Sequence, residues 1–164
     1  MSERFTVRKT LELAIVTEEM GAKFYERLAA KFSRDSELAS LFEQLALEEQ
    51  DHQWQFESLI ELVPELDDAY VDADRVRRLR EIAASQYFSS EEGPFAGIDH
   101  IGDEDEGLAH ALTFEEATLD VYLALREVLG RSVTLDALVN TEQTHVTRIR
   151  AVITALQALP AATG

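Results

Sequence analysis

Two tetrapeptides in this 164-residue chain, Glu49-Gln-Asp-His52 and Glu142-Gln-Thr-His145, set a carboxylate and an imidazole three residues apart. On an α-helix such residues share a face, with Cβ atoms about 5–6 Å apart, so both side chains can grip one ion. One pair alone means little, because 21 Glu and 4 His among 164 positions give roughly half a pair by chance. Here there are two, and each falls on an apolar helical stripe, where burial of an unpartnered carboxylate or imidazole costs several kcal/mol. Two more acids, Glu18 and Glu115, lie on apolar stripes of their own, each followed seven residues later by a tyrosine, Tyr25 and Tyr122. Seven residues are two turns, which puts each tyrosine about 10 Å along the face from its acid. Four inward carboxylates repel one another and take up protons, and two divalent cations would compensate that charge. Four Glu and two neutral His offer hard oxygen and borderline nitrogen donors, suited to Fe, Mn or Zn rather than Cu(I).

Four helical segments must position these groups. The period of apolar residues predicts helices over about 6–32, 35–63, 103–129 and 134–159. Asp35 and Thr134 are the expected caps of the second and fourth, and Gly130 is the expected stop of the third. Short links join the first pair and the last pair, which makes each an antiparallel hairpin. A long connection, about 64–102, separates the hairpins and contains an expected extra helix, VDADRVRRLREIAASQYF, then a Gly/Pro-containing loop. Hairpin, crossover and hairpin in this order predict an all-α four-helix bundle, a single domain over 1–164.

The hairpins also repeat each other. AIVTEEMGAKFY (14–25) aligns with ALTFEEATLDVY (111–122), and LALEEQDH (45–52) with LVNTEQTH (138–145). Glu18 meets Glu115, Tyr25 meets Tyr122, Glu49 meets Glu142 and His52 meets His145. The expected result is one helical hairpin used twice about an approximate two-fold axis.

Composition narrows the function further. The net charge of −17 argues against nucleic-acid binding, which needs a basic footprint. Cysteine is absent, which excludes disulfides, thiolate metal sites and iron–sulfur centres within these residues. The N-terminal MSERFTVRKT lacks an apolar signal core, and no apolar run reaches the ~20 residues of a membrane span. The chain is therefore expected to be soluble and cytoplasmic.

The motifs EEMGAKFY (18–25), EEQDH (48–52), EEATLDVY (115–122) and EQTH (142–145) together resemble the rubrerythrin-like branch of the ferritin-like di-iron carboxylate superfamily. A Glu from each of two helices with Glu-x-x-His from each of the other two is the donor set of di-iron and di-manganese bundles of that type. The resemblance implies a ferritin-like bundle in which Glu18, Glu49, His52, Glu115, Glu142 and His145 hold two metal ions. Iron is the expected metal, with Mn or Zn as substitutes. It further implies Glu49 and Glu142 as bridges, with Tyr25 and Tyr122 bonding a carboxylate or a bound oxygen species. The activity implied is reduction of peroxide, or oxidation of Fe(II) by dioxygen, with electrons from an external donor. A homodimer is the expected assembly. A non-catalytic metal-binding role in storage, delivery or structure is the competing expectation. Full-length rubrerythrins add a cysteine-bearing rubredoxin domain, and some relatives carry an extra Glu where this chain has Thr118.

Neighbouring residues receive plainer readings. Glu19 and Glu116 are alternatives in register, and a one-residue slip would lose both the stripe and the tyrosine spacing. Glu48 is expected on a solvated face. Trp54 is expected in packing or an interface. His100 and His110 lie off the ligand stripes, and RVRRLR (75–80) is expected as a salt-bridged helix face.

Overall fold

The computed structural model describes residues 7–62, 77, 98–130 and 132–158. Four long helices dominate them: α1 (Val7–Lys31), α2 (Ser36–Leu62), α3 (Glu104–Leu129) and α4 (Val133–Ala158). A 3₁₀ turn, Ile98–His100, precedes α3. The expected extra helix and most of the crossover lie outside the described residues.

The helix ends follow from local chemistry. Asp35 accepts from the backbone N–H of Glu37 and Leu38, both at 3.0 Å, and so caps α2. Asp103 caps α3 by accepting from Glu106 N, while the Glu106 carboxylate reaches back to Gly102 N at 2.7 Å. Three acids in that first turn complement the positive end of the helix dipole. Gly130 closes α3 at φ +79°, a conformation costly for any residue with a Cβ. The cap of α4 differs from the expected Thr134. Ser132 Oγ accepts from Leu135 N at 3.1 Å, which starts the helix at Val133. Both residues are good caps by type.

Two apolar cores fill the bundle. One joins Phe24, Tyr25 and Leu28 of α1 to Leu38, Phe42 and Leu45 of α2, Leu108 and Phe114 of α3, and Ile149 of α4. The other joins Leu11 and Ala14 to Phe56, Val121, Leu125, Leu135 and Leu138. Their order along each helix fixes the topology. α1 and α4 run from the second core toward the first, and α2 and α3 run the opposite way. The crossover therefore leaves α2 at one end of the bundle and enters α3 at the other, which is why it must be long. On every helix the polar residues of interest fall between the two cores.

Close packing near that middle layer leaves no room for a side chain at Gly21. A Cβ there would stand 2.7 Å from Cζ of Phe114, a ring already packed on Phe24 and Tyr25. Gly21→Val is expected to destabilise the fold by about 1–3 kcal/mol through overpacking. Thermal denaturation of the variant reads the loss, and adding Phe114→Ala should return part of it.

Candidate metal centre

The middle layer contains Glu18 from α1, Glu49 and His52 from α2, Glu115 from α3, and Glu142 and His145 from α4. All are buried, the four carboxylates at 0 % exposure. The next residue along turns outward in both repeats: Glu19 bonds Lys23 on the surface of α1, and Glu116 bonds Arg150 of α4. One helical position separates a fully buried acid from a solvated one.

The six residues form two overlapping groups. Glu18, Glu49, His52 and Glu142 bring ligand atoms within 4.8 Å of one another, and so do Glu49, Glu115, Glu142 and His145. Glu49 and Glu142 belong to both. The Glu49 carboxylate divides its oxygens between the imidazoles, Oε2 at 3.6 Å from Nδ1 of His52 and Oε1 at 3.3 Å from Nδ1 of His145. Glu142 does the same, with Oε1 at 2.9 Å from His52 and Oε2 at 4.0 Å from His145. Glu18 approaches only His52, at 3.7 Å, and Glu115 only His145, at 3.2 Å. The two imidazoles stack with centroids 5.4 Å apart.

Such a layer is electrostatically unfinished. Both oxygens of Glu18, Glu49 and Glu142, and Nδ1 of His52, are buried without a hydrogen-bond partner among the described residues. Unpartnered buried polar atoms are costly, and cations held between them would satisfy them. Without an ion, protons take its place. Burial, followed by the charge of Glu49, pushes the Glu18 carboxyl well above the usual range. Burial and the charges of Glu49 and Glu142 do the same to Glu115. Glu49 moves the other way: burial opposes its ionisation, but the close approach of Glu18, His145 and His52 outweighs it. Burial alone would lower both imidazoles. The surrounding carboxylates instead raise His52 well above its ordinary value and His145 to about 12.

The tyrosines behave unequally. Tyr25 donates its hydroxyl to Glu115 Oε1, the acid of the opposite hairpin and not that of its own helix. Burial, then the Glu115 charge, raises the Tyr25 phenol well above its ordinary value, so it stays a donor. The Tyr122 hydroxyl is buried with no partner among the described residues, its ring edge-on to Phe56 at 4.9 Å. Thr118 turns its hydroxyl to its own helix, onto the Phe114 carbonyl at 3.0 Å.

Glu48 corrects the sequence reading. It is not on a solvated face: its side chain is 25 % exposed, and Oε2 lies 2.9 Å from Nε2 of His145. Arg148 holds the same carboxylate with two hydrogen bonds, at 2.9 and 3.3 Å. Burial opposes ionisation of Glu48, but His145 and Arg148 outweigh it and hold the carboxyl at about 2. Nothing in its local pattern marks Glu48, since its partners come from the other hairpin. Trp54, at 68 % exposure, packs into neither core. His100 and His110 take no part in either ligand group.

A bundle of long helices around a buried carboxylate–histidine layer, doubled by an internal repeat, defines the ferritin-like di-metal class of protein. Residues 9–89 match the model of the rubrerythrin family. That stretch carries α1, α2 and their three candidate ligands. The second hairpin lies beyond the matched residues and repeats the ligand pattern of the first. No curated protein and no solved structure matches the chain. Among the described residues no helix is long and apolar enough to cross a membrane.

Proposed function

We propose that this chain is a di-iron oxidoreductase that reduces peroxide at the Glu/His layer, drawing electrons from an external donor. The observation that carries the reading is the division of Glu49 and Glu142 between two ligand groups, each completed by its own Glu and His. Glu18 and His52 would complete one ion's donors, Glu115 and His145 the other's, which suits Fe(II) and Fe(III) alike. A bound iron pair supplies the two electrons needed to cleave an O–O bond.

The chain's residues do the rest. Tyr25 holds its proton on Oη and aims it at Glu115 Oε1, which fixes that carboxylate and keeps a donor beside the layer. The apolar cores on either side exclude bulk water and strengthen every charge interaction between them. Reduction of one peroxide to two waters consumes two electrons and two protons, so the donor must return two electrons per turnover. Oxidation of Fe(II) by dioxygen is the close variant, in which iron is the substrate.

The test is an anaerobic Fe(II) titration of metal-free protein, then rapid mixing with hydrogen peroxide and, separately, with dioxygen. Saturation near two irons per chain and much faster oxidation by peroxide are expected. Faster oxidation by dioxygen with continued turnover of excess Fe(II) would make the chain a ferroxidase. Inert binding would make it a metal carrier or a structural site. Tyr25→Phe is expected to slow the peroxide reaction about ten-fold or more, and Tyr122→Phe much less, because only the Tyr25 hydroxyl engages a carboxylate.

A further inference from the structure

The repeat that builds the centre is not symmetric around it. On the Glu115/His145 half, outer groups hold both ligands. Tyr25 bonds Glu115 Oε1, and Nδ1 of His145 sits 3.2 Å from Glu115 Oε2. At the far side of the same imidazole, Nε2 meets Glu48 at 2.9 Å, a charge contact more than an aligned hydrogen bond. Arg148 clamps Glu48 from its other side.

Among the described residues the Glu18/His52 half lacks the outer groups. Among the described residues neither oxygen of Glu18 has a hydrogen-bond partner, and the Tyr122 hydroxyl is equally alone. Every carboxylate contact of His52 runs through Nδ1, and among the described residues no acid stands at its far nitrogen. The repeat explains why. The counterpart of Glu48 is Thr141, whose hydroxyl bonds its own helix at the Ala137 carbonyl. The counterpart of Arg148 is Gln55, which has neither charge nor fork geometry.

We infer that the two metal positions are unequal: the Glu115/His145 position fills first and holds its ion more tightly, and Glu48 is the positioning residue responsible. This rests on the reading of the layer as a metal centre. A carboxylate at the far nitrogen of a ligating imidazole fixes the ring and raises its basicity, and losing such a partner lowers metal affinity about 10–100-fold. Tyr25 adds a fixed rotamer for Glu115. The Glu18/His52 position, with ligands free to turn, is where an ion enters, leaves or is exchanged.

The experiment is a stepwise titration of the metal-free full chain with Co(II), followed by calorimetry and by visible absorption. Two steps separated at least ten-fold in affinity are expected. Glu115→Gln should remove the tighter step and Glu18→Gln the weaker. Glu48→Ala should weaken the tighter step about 10–100-fold and leave the weaker in place, while Glu48→Gln, which keeps an acceptor oxygen, falls between. Thr141→Glu should tighten the weaker step. Arg150→Ala, which breaks the surface pair with Glu116, is the control for a merely structural link between helices and should alter neither step. Equal steps in the parent chain, or a Glu48→Ala variant that changes both steps alike or neither, would overturn the inequality while leaving the metal centre standing. A parent chain that binds no Co(II) would overturn the metal-centre reading itself.

Discussion

Glu49→Gln is expected to abolish tight binding at both metal positions, whereas Glu18→Gln abolishes it at only one. The two substitutions are chemically identical, and only their place in the layer separates them. Glu18 has ligand atoms in a single group, with His52, while Glu49 has them in both and gives one oxygen to each half. Gln keeps the shape of Glu and removes the charge, so a change of fold is not the expected cause of the loss. A neutral amide is a weak donor to a hard divalent cation, and only one of its two terminal atoms can ligate. Glu142→Gln should match Glu49→Gln, because its carboxylate is divided in the same way. Equilibrium dialysis with elemental analysis gives the metal content per chain, and far-ultraviolet circular dichroism confirms the helices. Retention of one tightly bound ion by Glu49→Gln would show that Glu49 serves one position and not two.

Much of this arrangement is legible in the sequence because it depends on helical period alone. Glu18, Glu49, Glu115 and Glu142 recur on stripes whose other members are Leu, Phe and Ala, and one face of a helix is one environment. The repeat then places the four stripes at a common level without any knowledge of the chain path. Contacts between hairpins are a different matter. Tyr25 follows Glu18 by two turns, and the period puts it beside the carboxylates without saying which one it bonds; it bonds Glu115 across the bundle. Glu48 lies beside the buried stripe of its own helix and is captured by His145 and Arg148 of the opposite hairpin. Such pairings depend on the rotation and height of one hairpin against the other, which many small packing choices in the two cores set together. The cap at Ser132 in place of Thr134 is the local version of the same limit, since two adequate caps stand two residues apart and residue type alone does not separate them.

Metal loading is expected to release protons, about four per chain at neutral pH, and so to reverse the pH dependence of stability. In the metal-free layer His52, His145, Glu18 and Glu115 all hold their protons more strongly than usual. Ligation by two divalent ions needs neutral imidazoles and ionised carboxylates, so four positive charges enter as four protons leave. The sign for the metal-free chain follows. His145, ordinarily 6.5, titrates near 12 when folded, so its contribution is complete below pH 6.5 and is lost as pH rises toward 12. His52, Glu18 and Glu115 are shifted in the same direction and add to the decline. Glu48, lowered from 4.5 to about 2, acts oppositely, contributing above pH 4.5 and losing that contribution as pH falls through about 2. The metal-free chain should therefore be most stable near pH 5 and weaken toward pH 9, by up to about 1.4 kcal/mol per pH unit for each proton involved. The loaded chain should not weaken over the same range, because its ions no longer compete with protons. The difference in Tm between the two forms then widens from pH 6 to pH 9, by several degrees per unit for a chain of this size. Calorimetric titration in buffers of different ionisation enthalpy counts the protons directly. Release of fewer than one proton per ion, or a metal-free Tm that rises with pH across this range, would show that ionised carboxylates and neutral imidazoles coexist in the empty layer.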